Sequence, residues 1–208
     1  MIMVVDEDRN SLYPATREKI HREGLWHEVF HCWLLDTSAE SPFVYLQERS
    51  LTKADFPGLY DISAVGHILK GESIQDGVRE VEEELGLSVK LEDLRRLAIV
   101  KTETIIGEFK DFEHPHVYLL DKQMSWDDFS VQLSEVRGMA RVPLRNLFNF
   151  TLKKVQSLEI EGFRMDNGVQ TFYKEEVDYS NFVPHDRKYW REVLEPMVEY
   201  CNRQGKRV

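Results

Sequence analysis

The chain has 208 residues, of which 42% are hydrophobic, 31% charged and 11% aromatic, and its formal net charge is −10. This composition excludes wholesale disorder and supplies apolar material for one domain, with or without a terminal extension. The excess of acid excludes a general binder of nucleic-acid polymers or anionic membranes, so an anionic ligand must be met by a metal or a few local cations.

Cys32 and Cys201 form no C-x-x-C pair, so neither a disulfide framework nor a zinc ribbon is readable. The apolar start at residues 1–5 is too short for a signal peptide, and the run at 29–35 is too short to span a bilayer. The expectation is a cytoplasmic chain with no membrane partner.

In chain order, residues 1–5 read as a strand, 6–10 as its turn and 16–24 as a short helix or loop. Residues 26–35 and 42–49 read as antiparallel strands joined by a turn. A loop at 50–58 precedes a short strand at 60–65, and a helix rich in glutamate follows. Strands are expected around 94–106 and 116–120, separated by an acidic loop at 107–114. A strand at 135–142 leads to a short helix at 144–148, opened by Pro143. Residues 151–158 read as helix. Segments 157–164 and 169–177 flank Asn167-Gly168, a hairpin signal. Residues 186–202 form an amphipathic helix with Trp190, Val193, Leu194, Met197 and Cys201 at helical spacing and Pro196 as a kink. Residues 1–150 are taken as one domain, and 151–208 as a C-terminal hairpin–helix extension packed on it.

Residues 66–87 carry the chemistry. Ser73 can cap a helix and Gly86 can end it. Ile74, Val78, Val81 and Leu85 make one apolar stripe. At about 100° per residue, Glu83 and Glu84 project within roughly 60° of Glu80, while Glu82 points away. Three carboxylates on one face repel one another, and a hard divalent cation such as Mg²⁺ or Mn²⁺ relieves that repulsion. Arg79, one turn before Glu83, can orient it. A run such as Arg-Glu-Val-Glu-Glu-Glu is, taken alone, more often a solvated helix face; here it lies in a longer pattern with glycines at both ends.

That pattern resembles the Nudix box, G-x5-E-x7-R-E-U-x-E-E-x-G-U with U a bulky aliphatic residue. Gly66, Glu72, Arg79, Glu80, Val81, Glu83, Glu84, Gly86 and Leu87 fill its specified places. Residues 73–78 supply six positions where the family has seven, which leaves the placement of Glu72 open. The resemblance implies an α/β fold, the Nudix α/β/α sandwich around a mixed sheet, with a loop–helix that carries divalent metal. It implies Glu80, Glu83 and Glu84 as metal ligands, assisted by a carbonyl near Gly66, with Arg79 orienting a glutamate. A catalytic base is a glutamate on this helix or on a loop outside it, for which Glu113 and Glu108 are candidates.

Upstream, Gly24–Phe30, Leu46–Ser50, Lys53 and Phe56–Tyr60 look like the type I isopentenyl-diphosphate isomerase branch of the same superfamily. In that branch histidines at the places of His27 and His67 help bind a metal, and a cysteine shortly before the latter is catalytic. Here Ala64 stands in the cysteine's place, and the branch's acidic pair is represented by Glu113 alone. Isomerase chemistry is therefore disfavoured. His21, His31 and His185 are assigned ordinary surface or core roles, and His114 and His116 have no evident partner. Arg49, Lys53 and His67 are candidate substrate contacts.

The leading expectation is Mg²⁺- or Mn²⁺-dependent hydrolysis of a phosphoanhydride bond in a nucleoside diphosphate derivative or similar organic diphosphate, with Glu83, Glu80, Arg79 and Glu113 catalytic. The alternatives are isomerase-like activity and a non-catalytic diphosphate-binding module. The partner is a small-molecule diphosphate, and a homodimer is expected from the habits of relatives.

Overall fold

The computed structural model describes residues 1–208. Its strands are β1 (Ile2–Val5), β2 (Ser11–Ala15), β3 (His27–Asp36), β4 (Phe43–Arg49), β5 (Tyr60–Asp61), β6 (Ala64–His67), β7 (Arg95–Ile99), β8 (Thr102–Ile106), β9 (Phe109–Asp121), β10 (Val136–Pro143), β11 (Ser157–Asp166) and β12 (Val169–Asp178). The helices are α1 (Arg17–Glu23), α2 (Arg79–Leu85), α3 (Leu144–Thr151) and α4 (Arg187–Arg203). No helix is long and apolar enough to cross a membrane.

All strands join one mixed sheet whose main path runs β12-β11-β10-β4-β3-β1-β2. β3 lies at its centre because its run Val29–Leu35, broken only by His31, buries apolar residues on both faces. Trp33 and Leu35 enter the core shared with α3 and α4, while Phe30, Cys32 and Leu34 enter the core shared with α2. These are the two interfaces of an α/β/α sandwich. Val81 and Leu85 of α2 are fully buried in the second core, worth about 1.5–3 kcal/mol each. β9 runs parallel to β3, with His27 beside Glu113, and carries β7 and β8 on its other edge.

Several expectations are corrected. The glutamate helix does not begin at Ser73: residues Ile74–Val78 form a 3₁₀ turn and α2 begins at Arg79. A 3₁₀ segment advances about 2.0 Å per residue against 1.5 Å in an α-helix. Six residues therefore bridge what seven do in the family pattern. A side chain at Gly77 would collide with Phe30 Cβ at 2.5 Å, so the turn lies flat on β3. The acidic loop expected at 107–114 is instead the tip of a hairpin and the first half of β9, and the helix expected at 151–158 ends at Thr151. β2 escaped notice because Ser11-Leu12-Tyr13-Pro14-Ala15 is exposed on most positions and contains a proline.

The segment beyond residue 150 adds the hairpin β11–β12 to the sheet through β10, with Asn167 and Gly168 at φ 51° and 78° in its turn. A buried polar network ties the hairpin to β4. Glu48 accepts from Arg137 Nη1 at 2.9 Å and from Arg164 Nε at 2.6 Å, and Arg164 also holds Glu175 and the Tyr60 hydroxyl. Arg164→Leu leaves Glu48 with one cation in place of two. It is expected to cost about 2–3 kcal/mol in urea denaturation; a loss under 0.5 kcal/mol would show that Arg137 alone satisfies Glu48.

Candidate active site

A cleft of about 410 Å³ opens beside β6 and gathers side chains from both faces of that strand. β6 pairs with β3 alone, so its other edge is open. On the α2 side of β6, Glu80 lies so close to Gly66 that a Cβ there would overlap the carboxyl group. Only glycine lets the carboxylate reach the strand backbone.

Glu80, Glu83 and Glu84 all line the cleft and Glu82 does not. Arg79 organises them. Its Nε and Nη2 hold the two oxygens of Glu72 at 3.0 and 3.1 Å, while Nη1 reaches Glu80 Oε1 at 2.5 Å and Glu83 Oε2 at 3.1 Å. Glu72 also accepts from the Leu69 amide at 2.8 Å. The shortened box thus keeps Glu72 on its arginine. Glu84 is buried, accepting from the Val65 amide at 3.1 Å and from Gln47 Nε2 at 3.3 Å. Burial pushes Glu84 up to about 8 against the help of the Val65 amide, with Glu80 adding repulsion. Glu80 rises to about 7, since burial outweighs Arg79. Two carboxyls that resist ionisation, beside a third that is 52% exposed, form an oxygen-rich set suited to a hard divalent ion.

On the other face of β6 the register builds a second cluster. His67 pairs with Val29, two residues from His27, and His27 pairs with Glu113. Asp111 precedes Glu113 by two on the same face of β9, and α1 brings in His21. The ligand atoms of His21, His27 and His67 lie within 4.8 Å of one another, as do those of His27, Asp111 and Glu113. His27 Nδ1 donates to the Leu25 carbonyl at 3.0 Å, so Nε2 is the atom turned toward Asp111 and Glu113. Burial opposes charge on the ring, but those acids outweigh it and raise His27 above the usual histidine range. A metal would take the place of the Nε2 proton. The Nε2 atoms of His21, His27 and His67 and Oδ1 of Asp111 are buried with no hydrogen-bond partner. Such orphaned atoms are costly unless a shared ion occupies the space between them. Both clusters therefore fit divalent metal by the chemistry of their donors.

Charge in the second cluster is finely divided. Burial and the neighbouring Asp111 raise Glu113, whereas the His21 ring, 3.4 Å away, and the His27 charge overcome burial and lower Asp111. Burial and the His27 charge hold His67 well below the usual histidine range.

Other expected residues are placed as follows. Arg49 donates to the Asp55 carbonyl and, through Nη1 at 3.0 Å, to Asp61; Lys53 pairs with Glu135; both line the cleft. Glu113 stands in the cleft on a strand, not a loop, while Glu108 is exposed at the hairpin tip and does not line it. The place given to Ala64 is corrected: Ala64 pairs with Cys32 and packs in the α2 core, whereas Val65 pairs with His31 and lines the cleft. The cleft-lining residue immediately before Gly66 is thus valine, which carries no thiol either. Asp111, His21, Glu135 and His185 were missed. Asp111 and Glu113 share a face by their i, i+2 spacing, a signal hidden by reading the segment as a loop. His116 has a partner after all, Glu28 at 2.9 Å.

Residues 25–158 match the NUDIX domain family. The chain belongs to the Nudix hydrolases. It is 32% identical over 197 residues to an uncharacterized Nudix hydrolase of Clostridium acetobutylicum, a match covering 94% of this chain and 96% of that one. It is 28% identical over 120 residues to the isopentenyl-diphosphate Δ-isomerase of Serratia proteamaculans, covering 57% of this chain and 64% of the isomerase. A crystal structure of a MutT/nudix family protein from Enterococcus faecalis superposes with a TM-score of 0.53 at 11% identity, over 84% of this chain and 62% of that one. That likeness concerns the fold. The family generally uses divalent metals and hydrolyses small-molecule diphosphates.

The buried glutamates give the metal-free protein a distinctive pH dependence. Glu84 keeps its proton in the folded state up to about 8, while the unfolded chain releases it near 4.5. The folded state therefore binds more protons across that interval, and stability falls as pH rises through it. Glu84→Gln should lessen the fall in stability between pH 5 and pH 8.5, read by urea denaturation in chelator, by roughly 3–5 kcal/mol, leaving the smaller part due to Glu80. An unaltered slope in the variant would assign it to other groups.

Proposed function

We propose that the chain hydrolyses a phosphoanhydride bond in a small organic diphosphate, such as a nucleoside diphosphate derivative, with Mg²⁺ or Mn²⁺ as cofactor. The observation that carries this reading is that Glu80, Glu83 and Glu84 line one cleft, with Glu80 packed on Gly66 and Glu84 on the Val65 amide, both held back from ionising by burial. The Gly66 carbonyl with Glu80, Glu83 and Glu84 would hold one site; His21, His27, His67, Asp111 and Glu113 would hold another. Divalent ions there supply charge neutralisation for the diphosphate and acidify the attacking water.

The chain's own residues do the rest. Arg79 holds Glu83 and Glu80 in register, so neither needs to be ordered when substrate arrives. Glu83, the most exposed of the three, is the carboxylate best able to take a proton from water, and Glu113 is the second candidate base. Arg49 and Lys53 face the cleft as phosphate contacts, with Arg49 fixed by the Asp55 carbonyl and Asp61. His67, with its buried Nε2 turned into the second cluster, is read as a metal-side residue more than a substrate contact.

Glu83→Gln is expected to lower turnover by about two orders of magnitude or more while the fold persists. Phosphate release from dinucleotide, nucleotide-sugar and isoprenoid diphosphates with Mg²⁺ and Mn²⁺ is the assay. Unchanged turnover would remove Glu83 from the mechanism. The second cluster, which includes Glu113, favours a second reading, allylic isomerisation of an isoprenoid diphosphate. Val65 opposes it, because the residue immediately before Gly66 carries no thiol to give or take a proton. Formation of an allylic isomer from isopentenyl diphosphate, without phosphate release, would reverse the order of the two.

A further inference from the structure

Of the residues beyond 150, two alone line the cleft, Val183 and His185. They are delivered by a strap between β12 and α4. Phe182 bridges to Tyr60 in parallel, and the Val183 amide donates to the Tyr60 carbonyl at 2.9 Å. Phe182 on one side and Tyr189 on the other are buried in the core, so the strap is pinned at both ends.

His185 Nε2 donates to Asp61 Oδ1 at 2.8 Å, and its ring stacks on Tyr189 at 4.9 Å between centroids. The other oxygen of Asp61 accepts from Arg49 Nη1 at 3.0 Å. One buried carboxylate, 4% exposed, thus serves two groups able to carry positive charge. Burial opposes ionisation of Asp61, yet the His185 hydrogen bond and both charges hold it at about 2. Burial likewise opposes charge on His185, and Asp61 outweighs it, raising His185 above the usual histidine range. Its remaining neighbours are His31 on β3, which burial lowers to about 3, Tyr189 and Trp190 on α4, and the acids Glu113 and Asp111 on β9. His185 Nδ1 has no bond within the chain, while Nε2 is committed to Asp61.

We propose that His185 is a substrate-binding residue contributed by the C-terminal extension, donating its Nδ1–H to a phosphate oxygen of the bound diphosphate beside Arg49, with Asp61 as its positioning residue. The proposal rests on the diphosphate reading for the identity of the anion. With Nε2–H fixed on Asp61, a neutral ring would turn an acceptor toward the phosphate, and only the imidazolium donates from both nitrogens. The extension is then part of the recognition surface as well as a cover for the sheet.

The test is calorimetric binding of methylene-bridged diphosphonate, which is not hydrolysed, to the full chain with Mg²⁺ at pH 6 and pH 8.5. His185→Gln should bind about ten- to hundredfold more weakly than the unaltered chain at pH 6. Its affinity should also fall less steeply toward pH 8.5, because it has no imidazolium to lose. A purely structural role for His185 would not move that pH slope. Equal affinities and equal slopes in the two proteins overturn the proposal. Absence of any diphosphonate binding by the unaltered chain overturns it together with the hydrolase reading, whereas binding unaffected by His185 overturns it alone. If His185→Gln fails to fold, the ring-nitrogen NMR signals of the unaltered chain decide. A shift of His185 Nδ1 on adding diphosphonate supports the contact, and its absence contradicts it.

Discussion

Burial of two neighbouring carboxyls against the Val65-Gly66 backbone of a short strand is the constraint on which the site depends. Glu80 can lie against Gly66 because no side chain intervenes, and Glu84 is drawn inward by the Val65 amide. Both are then buried beside each other, so neither ionises easily. In the proposed reading a divalent cation would remove the electrostatic penalty that these two carboxyls carry. Arg79 prevents the cluster from relaxing by splaying apart, since it grips Glu72, Glu80 and Glu83 at once.

The sheet register explains why a second set of donors lies near the first. A strand presents alternate residues to opposite faces, so consecutive Gly66 and His67 serve different clusters. Gly66 faces α2 and its glutamates; His67 faces His27 and, through the parallel pairing of β3 with β9, Glu113 and Asp111. Because β6 is paired on one edge only, both sets open into one cleft. A one-residue slip of β6 would send His67 into the α2 core and dismantle both arrangements.

Much of this was legible in the sequence where spacing along one element decides the outcome. The α2 stripe, the glutamate face and the Asn167-Gly168 hairpin follow from local periodicity and turn chemistry. The one-residue deficit before Arg79 could be counted but not interpreted, because its resolution is a 3₁₀ turn lying on Phe30. Of the histidine–acid cluster, the resemblance to the isomerase branch points to His27, His67 and Glu113, but no local pattern shows that they meet or that His21 and Asp111 join them. The cluster is assembled from α1, β3, β6 and β9, and its parallel β3–β9 pairing has no local signature. Reading residues 107–114 as a loop also concealed that Asp111 and Glu113 share a face. The contribution of His185 depends on a strap pinned by Phe182 and Tyr189, contacts that no short window of sequence contains.

The most direct test is anomalous diffraction from crystals of the full chain soaked in Mn²⁺ near pH 8. The account predicts a peak enclosed by the Gly66 carbonyl, Glu80, Glu83 and Glu84, with a further peak among His21, His27, His67, Asp111 and Glu113. Glutamate carboxylates turned away from Gly66, with ordered water and no anomalous signal between them, would contradict it.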